Sequence, residues 1–285
     1  MSRRSQTITP ELRQWIVAQA EAGCSAPALL QAMQQAGWDA TLAAEALEQT
    51  LRAHLDAVAV AQGLPPASPV PEPDLADAPT VIDLGERQVR VLLALGKPRI
   101  VVFGELLAPE ECDALIEAAR PRLARSLTVA TTTGGQEVNV DRTSEGMFFQ
   151  RGESPLLQRI EQRIARLLRW PVENGEGLQV LHYRPGAEYK PHYDYFDPDA
   201  PGTPTLLARG GQRVGTLVLY LNTPEKGGAT GFPGIHLEVA AQRGNAVFFS
   251  YERAHPSSGS LHAGTPVIAG EKWIATKWLR AGKFE

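Results

Sequence analysis

Residues 179 to 196 read Gln-Val-Leu-His-Tyr-Arg-Pro-Gly-Ala-Glu-Tyr-Lys-Pro-His-Tyr-Asp-Tyr-Phe. A β-rich run turns at Arg184-Pro-Gly and ends on His192-Tyr193-Asp194. If this tripeptide is extended, side chains at i and i+2 point to one face, so an imidazole and a carboxylate can reach the same ion. Further along, residues 261 to 279 read Leu-His-Ala-Gly-Thr-Pro-Val-Ile-Ala-Gly-Glu-Lys-Trp-Ile-Ala-Thr-Lys-Trp-Leu. They add His262 and, ten residues on, Lys272. Two imidazoles and a carboxylate can cover one face of a metal ion and leave the opposite positions open. Zinc accepts the same donors, so the ligand set alone does not choose the metal.

Both stretches resemble the catalytic motifs of the prolyl 4-hydroxylase family of Fe(II)/2-oxoglutarate oxygenases. The resemblance takes in Arg142-Thr-Ser, Gly210-Gly-Gln-Arg213 and Gly227-Gly-Ala-Thr230 in the family's order, and covers about residues 98 to 280. It implies that His192, Asp194 and His262 hold Fe(II), with 2-oxoglutarate and O2 in the open positions. Lys272 then pairs with the C5 carboxylate of 2-oxoglutarate, a charge-assisted contact strong in a desolvated pocket, and this settles the metal as iron. Tyr183 and Thr230 match positions that hydrogen-bond the same co-substrate. Arg142, Tyr189, Arg213, Trp278 and Arg280 match or neighbour positions associated with the peptide. The reaction implied is hydroxylation of a prolyl residue in a peptide or protein, releasing succinate and CO2, with ascorbate as reductant. Two departures are visible: Ala229 stands where the family commonly has glutamate, and Arg280 where a histidine often follows Lys-Trp.

The composition suits such an enzyme. A chain of 285 residues with 43% hydrophobic content can bury one substantial core and a small second one. A net charge of -4 and a pI near 5.9 give no global basic surplus, so nucleic acid is not an expected partner. Neither a signal-like start nor a membrane-length apolar run is present, so no membrane association is expected, and the reading is a soluble, cytoplasmic protein. Cys24 and Cys112 lie in different segments and offer no disulfide framework, as a reducing compartment would have it.

Six prolines fall between residues 65 and 79, among Ala, Ser, Glu and Asp. Such a stretch stays extended, which divides the chain into residues 1–63, a linker at 64–80 and a catalytic domain at 81–285. Before the linker, Thr9-Pro10, Ser25 and Asp39 or Thr41 each open a helix, closed in turn by Gly23, Gly37 and Gly63. Leu29, Leu30, Met33, Leu47 and Leu51 recur at helical spacing, giving a small three-helix module that serves either as an accessory folding element or as the site for a protein partner. Beyond the linker, Pro109 and Pro155 begin helices, the second with a Leu156, Ile160, Ile164, Leu168 stripe. Short β-rich runs follow at 180–183, 214–221, 237–239, 246–250 and 273–279. The fold class is α+β: a double-stranded β-helix, or jelly roll, with flanking helices, preceded by an all-α module.

The segment 131–137, with two adjacent glycines, reads as a lid or a plain surface loop. His182 should point away from Tyr183 as a satisfied core histidine, and His236 and His255 read as exposed turn residues. Two other readings stay open: the same chemistry on a small molecule or free amino acid, and a binding or sensor protein acting through residues 1–63.

Overall fold

A computed structural model describes residues 6–125, 127–129, 136–138 and 143–285. The chain divides into two compact units, Met1–Ala67 and Ser68–Glu285.

In the first unit, helices α1 (Pro10–Glu21), α2 (Ala26–Gln35) and α3 (Ala40–Ala61) start where their caps dictate. The Thr9 side chain accepts from the Leu12 amide, Ser25 from Ala28, and Asp39 from Thr41 and Leu42, so Asp39 and not Thr41 is the third cap. Gly23 and Gly37 follow the first two helices at φ +89°, a conformation that a Cβ would strain. Ile16, Leu29, Met33, Ala43, Ala46 and Leu47 form a buried cluster, with Leu30 and Leu51 packed against it.

The second unit runs β1 (Val81–Asp83), β2 (Gln88–Leu95), β3 (Arg99–Gly104), α4 (Pro109–Ala119), β4 (Ala124–Arg125), β5 (Leu127–Val129), β6 (Gln136–Val138), β7 (Glu145–Phe149) and α5 (Pro155–Leu168). It continues with β8 (Leu178–Tyr183), β9 (Tyr189–His192), α6 (Thr203–Leu207), β10 (Arg213–Tyr220), β11 (Lys226–Gly227), β12 (Thr230–Phe232), β13 (Leu237–Val239), β14 (Ala246–Ser250), β15 (His262–Gly264), β16 (Val267–Ala269) and β17 (Lys272–Arg280). The main antiparallel sheet has the order β1-β2-β3-β14-β10-β17-β8-β7-β4, and a smaller one the order β13-β12-β15-β9. A large antiparallel sheet facing a smaller one, with helices on the outer side, is the arrangement of a jelly-roll oxygenase fold.

Strand alternation builds two cores from one sheet. Leu217, Leu219, Ala246 and Phe248 join the cluster that takes in Leu115 of α4 and Ile160, Ile164 and Leu168 of α5. Their neighbours Val218, Tyr220, Val247 and Phe249 join Phe232 and Val239 of the smaller sheet. Residues alternating along β10 and β14 thus face the helices or the second sheet. This explains why both strands are apolar on each face and why they were legible as uninterrupted runs.

The proline-rich stretch does not run free over its full length. Ser68 donates its amide to Glu252 O at 2.7 Å, Glu72 donates its amide to Leu168 O at 3.0 Å, and the Glu72 carboxylate pairs with Arg99. Pro71 and Pro73 are buried. The division between units therefore falls inside the expected 64–80 linker, and residues 68–80 belong to the second unit. Prolines served here to lay an extended strap against a surface, a use that composition does not distinguish from a solvated spacer.

Candidate metal centre and co-substrate pocket

The smaller sheet brings the two histidines together. His192, at the end of β9, is the Cα partner of His262 on β15, and their ring centroids lie 4.3 Å apart. Asp194 follows two residues after His192, with Oδ1 at 3.7 Å from His192 Nε2 and Oδ2 at 3.4 Å from His262 Nε2. One ligand atom from each of the three lies within 4.8 Å of the others. His192 Nδ1 sits 2.8 Å from Lys190 O, and His262 Nδ1 sits 3.0 Å from Ser260 O. A carbonyl can only accept, so each Nδ1 carries a proton, and each Nε2, turned inward toward Asp194, is the nitrogen left to exchange its own proton for a metal ion.

Asp194 is buried, and burial by itself favours the neutral acid. The imidazoles of His262 and His192 and the guanidinium of Arg213 outweigh it and hold the carboxyl well below the usual aspartate range. An ionised carboxylate beside two inward Nε2 atoms fits a divalent cation, and the mixed oxygen and imidazole set with one face open fits Fe(II).

The main sheet supplies the rest of the pocket. Lys272, at the start of β17, is the Cα partner of Tyr183 on β8, and its ammonium lies 5.4 Å from the Tyr183 ring centre. It is 2% exposed, and burial pulls it down from 10.5 to about 8. No carboxylate among the described residues pairs with it. A pocket open to solvent is lined by His192, Asp194 and His262 and by Lys272, Tyr183 and Thr230 among others. The Thr230 hydroxyl accepts from Tyr220 Oη at 2.8 Å. All six residues expected to hold metal or co-substrate thus face one cavity.

The model of the 2OG-Fe(II) oxygenase superfamily matches residues 178–280. Prolyl 4-hydroxylase 5 of Arabidopsis thaliana is 39% identical over 222 residues, covering 70% of this chain and 74% of that one. The chain belongs to the prolyl 4-hydroxylase family of 2-oxoglutarate- and Fe(II)-dependent dioxygenases. Prolyl 4-hydroxylase 1 of the same plant is 43% identical over 202 residues, 64% of this chain and 69% of its own. The viral collagen prolyl hydroxylase of Paramecium Bursaria Chlorella virus-1, solved with 2-oxoglutarate, is 31% identical, with a TM-score of 0.50 over 64% of this chain and 95% of that one.

The residues that family resemblance places near a peptide separate into groups. Tyr189 and Trp278 line the pocket, Tyr189 stacking on His192 with centroids 3.6 Å apart. Arg142 and residues 131–135 of the expected lid lie outside the described residues. Arg213 and Arg280 both converge on Glu176: Arg213 is bidentate at 2.7 and 2.9 Å, and Arg280 Nε stands 3.4 Å away without hydrogen-bond geometry. Arg213 also donates to Asp194 O at 3.4 Å and covers the Trp278 ring at 4.0 Å, which makes it a support for the site's floor. Arg280 Nη2 is taken up by Leu206 O and Arg209 O.

His182 is satisfied, as its place opposite Tyr183 requires: Nε2 meets Glu271 at 2.8 Å and the ring stacks on Trp273. His236 is exposed, and His255 is half-buried beside Ser257. Sequence reasoning passed over Thr216, Tyr251, Glu176 and Tyr220. Thr216 carried a signal, since a hydroxyl within the apolar run Val214–Leu221 must find a partner.

Proposed function

We propose that the chain hydroxylates a prolyl residue within a peptide or protein, consuming 2-oxoglutarate and O2 and releasing succinate and CO2. The observation that carries this is a half-buried His192 with buried Asp194 and His262, sharing one pocket with a buried Lys272 that no carboxylate among the described residues pairs with. Family membership supports the chemistry, and relatives named as prolyl 4-hydroxylases support the substrate.

In this reading Lys272 binds the C5 carboxylate of 2-oxoglutarate, with Tyr183 beside it and the Thr230 hydroxyl oriented by Tyr220. Bound iron and co-substrate supply the oxidising chemistry, and the protein's share is to aim one C–H bond and exclude water. Tyr189 stacks against His192 at the pocket wall, and Trp278 walls the side toward β17, so the reactive ring enters between aromatic surfaces. Ascorbate would be the reductant that keeps the metal ferrous. A cytoplasmic setting belongs to the same proposal, supported by two free thiols, Cys24 exposed and Cys112 buried. None of the described helices is long and apolar enough to cross a membrane. The three-helix unit, with Trp15, Leu55, Val58 and Val60 exposed, is proposed to bind a protein partner.

Incubation of the anaerobically Fe(II)-loaded protein with 2-oxoglutarate, ascorbate, O2 and proline-containing peptides should add one oxygen to a peptide, and hydrolysis should return hydroxyproline. Oxidation of free proline or another small molecule in place of every peptide would overturn the peptide assignment and leave the oxygenase intact.

A further inference from the structure

Asp194 has two oxygens, and among the described residues a hydroxyl donates to one of them, Oδ2. Thr216 Oγ1 donates to Asp194 Oδ2 at 2.8 Å, and the Tyr251 hydroxyl lies 3.0 Å from Thr216 Oγ1. Thr216 spends its single proton on the carboxylate, so Tyr251 must be the donor to Thr216, which orders the chain Tyr251 to Thr216 to Asp194. All three side chains are buried: Thr216 is 0% exposed and Tyr251 2%. Their backbones are tied by the main sheet, where Thr216 is the Cα partner of Phe249, two residues before Tyr251. The hydroxyl pair thus reaches the carboxylate from the sheet opposite the one that carries the histidines.

A carboxylate left to itself can bind a divalent ion through one oxygen or both. Bidentate binding would consume one of the positions that co-substrate and O2 need. We propose that Thr216, backed by Tyr251, is a positioning residue that occupies Asp194 Oδ2 and restricts Asp194 to a one-oxygen ligand through Oδ1. Arg213 reinforces the same pose by donating to Asp194 O at 3.4 Å. The inference rests on reading His192, Asp194 and His262 as the metal site. Outer partners of metal ligands change affinity by roughly 10- to 100-fold when removed.

The test uses Thr216→Val, which keeps the β-branched shape on β10 and deletes the hydroxyl, together with Thr216→Ser, Tyr251→Phe and Asp194→Ala in the full chain. Mn(II) affinity is measured by calorimetry and by the electron paramagnetic resonance of the bound ion, without turnover. Thr216→Val should weaken Mn(II) about 10- to 100-fold and alter its resonance line shape. Tyr251→Phe should give a smaller loss, and Thr216→Ser should restore both readouts. If Thr216→Val fails to fold, Tyr251→Phe and Thr216→Ser still decide. Wild-type affinity and line shape in Thr216→Val, or in Tyr251→Phe where the valine variant is lost, would overturn the proposal while Asp194→Ala abolishes binding. Undiminished binding in Asp194→Ala would instead overturn the metal-site reading beneath it.

Discussion

Lys272 holds a buried ammonium with the Tyr183 ring beside it, and desolvation is what lowers it from 10.5 to about 8. In the unfolded chain the same group keeps its ordinary value, so between pH 8 and 10.5 the folded state binds fewer protons. Stability therefore carries a penalty that is full below pH 8 and fades as pH rises to 10.5, on the order of 3 kcal/mol from a shift of this size. Lys272→Met should raise the melting temperature of the ligand-free protein at pH 7, and the gain should shrink toward pH 10.5. The same substitution should raise the apparent Michaelis constant for 2-oxoglutarate by orders of magnitude while Mn(II) binding persists. In the wild type, affinity for 2-oxoglutarate should fall as pH rises through 8, because the free lysine must then be reprotonated to meet the carboxylate. Calorimetric melts and 2-oxoglutarate titrations across pH 7 to 10.5 check all three. A variant no more stable than wild type at pH 7 would show that Lys272 is paired in solution. The proposed ligands and this lysine were legible because motif spacing names them; the Thr216 and Tyr251 hydroxyls were not, since the role proposed for them depends on which strands meet around Asp194.

Elements are joined by a buried ion pair. Lys277 on β17 reaches Glu161 on α5 at 2.6 Å, both side chains 2% exposed, and Glu161 also accepts from the Gly152 amide. This joins the strand that holds Lys272 to the helix layer behind the sheet. Lys277→Met strands a buried carboxylate and should cost roughly 3 to 5 kcal/mol in urea unfolding, whereas adding Glu161→Gln should recover much of the loss. Equal stability in the single variant and the wild type would mean the carboxylate finds water or a proton at little cost. Strands β10, β14 and β17 could be read from apolar runs because both faces are covered. Strands β9, β12 and β15 could not, being three or four residues long, and β9 reads Tyr-Lys-Pro-His with a lysine and a proline. Those short strands owe their shape to pairing across the smaller sheet, which no local propensity records.

For the whole molecule, the boundary between units sets what truncation should do. Removing residues 1–67 leaves every metal and co-substrate residue and the strap contacts of Ser68, Pro71 and Glu72, so the remainder should fold and turn over 2-oxoglutarate. Removing residues 1–79 also deletes the Glu72 to Arg99 pair and two buried prolines, and should melt several degrees lower, at about 2–4 °C per kcal/mol lost. Equal melting temperatures for the two truncations would show the strap to be dispensable. Composition located the proline-rich segment but could not tell strap from spacer, since that depends on the surface it meets. In the proposed reaction the two atoms of O2 part company at the pocket joining His192, Asp194, His262 and Lys272. With isotopically labelled O2, a proline-containing peptide and 2-oxoglutarate, mass spectrometry should find one labelled atom in hydroxyproline and one in succinate, in equal amounts. Succinate labelled without any labelled peptide product, or peptide oxygen drawn from water, would contradict it.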